Sequence, residues 1–247
     1  MERRAFLPGI ISANAAALAA AVALVAALAA CRGGAPSPPR ATPSPAAEGL
    51  AGGGETPEPR ATPDDRPVIL FVGTSLTAGY GVDPDDAFPA LVQAKIDEAR
   101  LRYRVVNAGV SGETSAGARR RIGWLLRQPV AVLVLETGAN DGLRGQDPVA
   151  TRDNIAAVLA AARRATPSPR LVLVAMEALP NYGEDYRRRF RELYPELARE
   201  SGATLVPFLL RGVAGDPALN QADGIHPNAA GHRRVAETVW KVLRPLL

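Results

Sequence analysis

Four short runs carry the residues with chemistry in them. They are Gly73-Thr74-Ser75-Leu76-Thr77-Ala78-Gly79-Tyr80-Gly81, Asn107-Ala108-Gly109-Val110-Ser111-Gly112-Glu113-Thr114, Glu136-Thr137-Gly138-Ala139-Asn140-Asp141-Gly142 and Asp223-Gly224-Ile225-His226-Pro227. A serine hydroxyl is a weak nucleophile until an imidazole takes its proton, and the imidazole needs a carboxylate to fix its tautomer. The chain has 2 histidines. His226 follows Asp223 at a spacing that one turn can close without long-range help, whereas His232 lies in a helical stretch beside Arg233 and Arg234 and reads as a surface residue. An oxyanion formed by attack on a carbonyl needs neutral donors. Asn140 offers a side-chain amide, and a glycine in the second run would let a backbone N–H approach a ligand closely. Taken singly, each run has a plainer reading: a Gly-Ser turn or helix cap at Ser75, an ordinary turn in the second run, an Asn-Asp-Gly turn at Asn140. Asp141 invites a carboxylate-base reading, but nothing in the run singles it out.

Other chemistries are excluded by what the runs and the composition lack. The Ser75 run is neither a G-x-S-x-G elbow nor a G-x-G-x-x-G dinucleotide loop, and it has no Walker lysine. With 1 cysteine and 2 histidines in 247 residues, neither an intramolecular disulfide nor a Cys/His zinc site can be built. The net charge of +4 comes from arginines scattered among acids. The one dense cluster, Arg119-Arg120-Arg121, reads as a solvated helix face, so no nucleic-acid partner is expected.

The runs gain meaning from the elements around them. Val68–Val72, Tyr103–Val106, Val130–Leu135, Leu171–Ala175 and Thr204–Val206 read as five short strands. Helical stretches at about 86–101, 114–127, 150–165, 184–201 and 228–244 separate or follow them. Near-continuous apolar strands are buried on both faces, so the expectation is an α/β fold: a five-stranded parallel sheet in a three-layer α/β/α sandwich. Ligands in such folds bind beyond the carboxyl ends of the strands. Three of the four runs follow strands, and the fourth precedes the last helix.

In that order and placement the four runs form a specific set. Residues 67–247 resemble the SGNH (GDSL-like) hydrolases, whose fold is flavodoxin-like, and in particular the branch with bacterial arylesterases, acyl-CoA thioesterase I and lysophospholipase L1. Pro180-Asn181-Tyr182-Gly183 is similar to that branch as well. The resemblance implies a serine esterase acting on carboxylic esters or thioesters through an acyl-enzyme, with no metal or organic cofactor; a monomer is expected. It implies Ser75 as nucleophile, His226 as base and then acid, Asp223 as its orienting carboxylate, and an oxyanion hole from the Ser75 and Gly109 N–H groups and the Asn140 amide. Thr74 departs from the pattern, because the family usually has aspartate there; a threonine hydroxyl still hydrogen-bonds but brings no charge. The rival readings are a carbohydrate O-acetyl esterase and a non-catalytic envelope binding module on the same scaffold.

The first 31 residues read as an export signal: Arg3-Arg4, an uncharged run from Ala5 to Ala30, and a small-residue end. Leu28-Ala29-Ala30-Cys31 resembles a bacterial lipoprotein box, which would make Cys31 the lipidation site and the membrane a partner through that anchor. Arg3-Arg4-Ala5-Phe6-Leu7 is similar to a twin-arginine motif. Residues 32–66 are rich in Pro, Gly, Ser, Thr and Ala and read as a disordered tether. The expected location is the bacterial cell envelope.

Overall fold

The computed structural model describes residues 64–247; the export signal, Cys31 and nearly all of the 32–66 tether lie outside the described residues. Five strands form at β1 (Val68–Gly73), β2 (Arg104–Gly109), β3 (Val132–Glu136), β4 (Arg170–Val174) and β5 (Thr204–Val206), and all pair in parallel in the order β2-β1-β3-β4-β5. Every residue of β1 and β3 is buried, while the edge strand β2 is only partly so. The inner strands therefore lack polar alternation, because helices cover both of their faces.

The helices are α1 (Ser75–Ala78), α2 (Phe88–Glu98), α3 (Ser115–Leu125), α4 (Ala139–Leu143), α5 (Pro148–Arg163), α6 (Gly183–Ser201) and α7 (Ala229–Leu243). Helix α2 packs against α7, and α5 packs against both α3 and α6, which gives the two outer layers. Local chemistry sets their ends. Asp147 accepts the Val149 N–H ahead of Pro148 at the start of α5, Asn228 accepts the Gly231 N–H at the start of α7, and Gly202 closes α6 in the left-handed region.

Topology places the site. The chain leaves β1 toward β2 on one side and later crosses back over β1 to β3. Right-handed crossovers in opposite directions put α2 on one face and α3, α5 and α6 on the other. The connections that leave β1 and β3 thus part in opposite directions, opening a crevice at their carboxyl ends. Ser75 follows β1 after Thr74, and Asn140 follows β3 after Thr137, Gly138 and Ala139.

The structure corrects the expectation for His232. It is 1% exposed on the inward side of α7, its Nδ1 accepts the Phe88 N–H at 3.2 Å, and its ring stacks on Phe88. Burial, against a weaker opposite pull from Asp86, lowers its pKa to about 4, so it serves as a neutral acceptor that joins α7 to α2. The neighbouring arginines point outward from the opposite side of the helix turn, which is why the local sequence reads as surface. Arg121 also differs from the expected solvated face: it turns inward onto Glu113, while Arg119 and Arg120 stay exposed.

Candidate active site

Ser75 opens α1 immediately after Thr74, whose backbone is extended at φ −94° and ψ −155°. This abrupt change from strand to helix leaves the Ser75 hydroxyl at the rim of the sheet. Its Oγ lies 2.9 Å from His226 Nε2. His226 Nδ1 lies 2.6 Å from Asp223 Oδ2, while Asp223 Oδ1 accepts the Ile225 and His226 N–H groups at 2.9 and 3.0 Å. One carboxylate therefore both shapes the turn and orients the ring that the turn carries.

Those bonds determine the tautomer. The His226 backbone N–H first, then its ring and the Ile225 N–H, lower the Asp223 pKa to about 2, so this carboxylate is ionised at neutral pH. An ionised carboxylate only accepts, so Nδ1 carries the proton, and in the neutral ring Nε2 presents its lone pair to the Ser75 hydroxyl. Tyr80 packs on the same ring with centroids 4.8 Å apart. Gln221 ties the two loops together: its Nε2 donates to Tyr80 O at 2.7 Å and Pro227 O at 2.9 Å, and its N–H donates to His226 O.

The Ser75–His226 contact opens into a cavity of about 480 Å³, a size suited to a small-molecule substrate. Its polar edge is formed by Ser75, Ser111, Gly112, Asn140 and His226, Glu177 and Arg187 also line it, and its body is formed by apolar side chains including Met176, Leu179, Phe208 and Leu210. Asn140 is held by one amide N–H, which donates to Glu113 O at 3.0 Å. Its second amide proton is thereby left for the cavity.

Gly109 does not stand where the family resemblance implies. Its N–H donates to Asn107 Oδ1 at 2.9 Å, it is not among the residues lining the cavity, and a Cβ there would fall 2.2 Å from the Ala78 nitrogen. Gly109 is a packing glycine that lets α1 lie against β2. Gly112, three residues on in the same run, does line the cavity, and its N–H bonds to no other described residue.

Two buried carboxylates hold roles that the sequence alone does not assign. Asp141 is fully buried and accepts the Ser115 N–H at 2.8 Å and the Ser115 hydroxyl at 2.5 Å, so it caps α3 from α4 rather than acting as a base. Glu136, also fully buried, accepts from Thr74 and Thr77. A lone acid ending an apolar strand was the available signal for Glu136; nothing in the sequence marks Gln221. Among the described residues there is no group of three or more His, Cys, Asp or Glu side chains placed to hold a metal ion.

Burial pushes the Glu136 carboxyl from 4.5 up to about 7, against the downward pull of its threonine donors. A raised folded-state value means that the folded chain binds this proton more tightly than the unfolded chain. The associated stability is fully present below pH 4.5 and is lost as pH rises through about 7. Glu136→Gln removes this loss, so its stability relative to the parent should improve between about pH 5 and pH 8, by an amount on the order of 3 kcal/mol. Urea unfolding at the two pH values checks it; a difference that does not change with pH would assign the titration elsewhere.

Comparison with known proteins shows the family. Residues 71–234 match the GDSL-like lipase/acylhydrolase family. The chain is 41% identical over 180 residues to esterase TesA of Pseudomonas aeruginosa, covering 72% of this chain and 89% of that protein. It is 39% identical over 181 residues to thioesterase 1/protease 1/lysophospholipase L1 of Escherichia coli, covering 72% and 84%. The crystal structure of TesA superposes with a TM-score of 0.70 at 40% identity, covering 73% of this chain and 99% of that one. The match over residues 71–234 includes the Ser75 run, the Asn140 run and the Asp223–His226 turn, and on this similarity the chain belongs to the GDSL-like lipase/acylhydrolase family.

Proposed function

We propose that this chain is a serine esterase in which Ser75 attacks the carbonyl of a carboxylic ester or thioester whose acyl part lies in the apolar cavity. The observation that carries the reading is the continuous Asp223–His226–Ser75 hydrogen-bond chain ending at the wall of that cavity. The Ser75 hydroxyl proton passes to His226 Nε2 as the Ser75 oxygen bonds to the carbonyl carbon. Asn140 Nδ2 and the N–H groups of Ser75 and Gly112 receive the oxyanion, with Gly112 taking the place first given to Gly109. Collapse breaks the bond to the leaving alkoxide or thiolate, which takes the proton from His226. Water then gives a proton to His226 as its oxygen bonds to the acyl carbonyl carbon; collapse breaks the bond to Ser75 Oγ, which takes that proton back from His226, and the acid leaves.

The reading is tested on the full chain with p-nitrophenyl acetate, butyrate, octanoate and palmitate. The apolar body of the cavity predicts better turnover on butyrate or octanoate than on acetate, as burial of each added methylene contributes about 0.8 kcal/mol. Activity confined to acetate would favour the carbohydrate O-acetyl esterase reading instead. Asn140→Ala should fold and lose about 100- to 1,000-fold in kcat. Near-parental kcat in that variant would remove Asn140 from the oxyanion hole.

The same proposal places the enzyme in the bacterial cell envelope: an export signal over 1–31, an anchor on Cys31, a tether over 32–66 and the hydrolase domain over 67–247, working as a monomer. No helix among the described residues is long and apolar enough to cross a membrane. Lipidation at Cys31 is checked by whether Cys31→Ala moves the protein from the membrane to the soluble fraction.

A further inference from the structure

Directly behind Ser75 lies a hydrogen-bond cluster that the catalytic steps do not use. Glu136, the last residue of β3, accepts the Thr74 N–H at 2.8 Å, the Thr74 hydroxyl at 3.0 Å and the Thr77 hydroxyl at 2.9 Å. Thr74 and Thr77 flank the nucleophile in the chain, so these bonds grip the turn on both sides of it. The backbone is pressed onto the cluster: a Cβ on Gly73 would stand 2.0 Å from Thr77 Oγ1 and 2.7 Å from Glu136 Oε2. None of the hydrogen bonds to Glu136 comes from a cationic side chain among the described residues. Nearby charge is engaged elsewhere: Arg121 pairs with Glu113 and reaches only Gly73 O, Asp141 holds Ser115, and the Tyr194 hydroxyl donates to Thr137 O.

A carboxylate held in such a place is expensive to bury and is sustained by the donors it organises. The Thr74 hydroxyl also accepts the Leu76 N–H at 3.4 Å, so it donates and accepts at once. An ionised aspartate at this position would only accept, and beside Glu136 the two carboxyls would have to share a proton. Threonine completes the link between β3 and α1 without that second charge.

We propose that Glu136 and Thr74 are positioning residues for the nucleophile: Glu136 anchors the turn through Thr74 and Thr77, and so aims the Ser75 Oγ at His226. The proposal rests on the reading of Ser75 as nucleophile. It is tested on the full chain with Thr74→Val, Thr74→Ser, Glu136→Gln and Ser75→Ala, using p-nitrophenyl butyrate and a fluorophosphonate that also titrates active sites, so that kcat is counted per folded site. Thr74→Val keeps the shape but removes donor and acceptor. It should lower kcat and the labelling rate about 10- to 100-fold with KM nearly unchanged, because small misplacement of a reacting atom has effects of that size. Thr74→Ser should restore most of the loss. Should Thr74→Val fail to fold, Glu136→Gln carries the test, with a fall in kcat of about tenfold or more expected per titrated site.

A parental kcat per site in Thr74→Val or Glu136→Gln, or a Thr74→Ser no better than Thr74→Val, overturns the positioning role. If Ser75→Ala abolishes turnover in the same experiment, only this inference has failed. If Ser75→Ala stays active, the nucleophile assignment itself has failed and the inference falls with it.

Discussion

Ser75→Ala is expected to lower turnover on p-nitrophenyl esters by on the order of a millionfold and to abolish labelling by a fluorophosphonate, while leaving the fold intact. Its Oγ is the one nucleophilic atom of the cavity within hydrogen-bond reach of an imidazole, at 2.9 Å from His226 Nε2. In the proposed mechanism alanine removes the atom that forms the acyl-enzyme, and the remaining donors then act only on direct attack by water, which is far slower. The lost hydroxyl is small and at the rim of the sheet, so melting temperature should barely change. Labelling that persists in Ser75→Ala, on a different residue, would move the nucleophile elsewhere.

Asp223→Asn should lower kcat about 10,000-fold. The asparagine Oδ1 can still accept the Ile225 and His226 N–H groups, so the turn survives. What changes is the partner of Nδ1. A carboxylate, held near 2 by those N–H groups and by the ring, requires the proton on Nδ1 and stabilises the imidazolium that forms during attack. An amide placed with its NH2 toward Nδ1 requires the opposite tautomer, and Nε2 then donates to Ser75 instead of accepting from it. Because the shift is downward, Asp223 stays charged well below neutral pH, and its titration should not shape the activity profile between pH 5 and 9. A kcat within tenfold of the parent in Asp223→Asn would show that the ring is oriented by other means, with Gln221 and Tyr80 the nearest candidates.

The two effects differ in size for a structural reason. Ser75 is removed as a reacting atom, whereas Asp223 acts through His226, whose position is also held by the bond from the Gln221 N–H to His226 O and by packing on Tyr80. Some correctly placed imidazole therefore survives in Asp223→Asn.

Much of the fold is readable along the chain because its determinants are local. The apolar runs around Leu70, Leu133 and Val172 mark strands buried on both faces, and the runs that follow the first two carry Ser75 and Asn140. Asp223 and His226 pair through a turn of their own, so their contact is implied by spacing alone. The short helices α1 and α4 are a different matter. At four and five residues, they are too short for hydrophobic periodicity to appear, and they form because Thr74, Asp141 and the strand ends around them are held by other elements. Yet these two helices present Ser75 and Asn140.

The sequence by itself carried the layered α/β architecture and, through four runs whose order and placement resemble the family, the candidates Ser75, Asn140, Asp223 and His226, since residue types and their order along the chain are local properties. Only the tertiary structure decided which glycine faces the cavity, because Gly109 and Gly112 differ in no local signal and are separated by the Asn107 side chain and the packing of α1. It likewise decided that His232 is a buried neutral acceptor and that Glu136 stands behind Ser75. Those roles are made by partners at sequence separations of 144 and 62 residues, which no local pattern can record. Burial then sets the proton affinity of both groups, and burial is a property of the packed chain rather than of any segment of it.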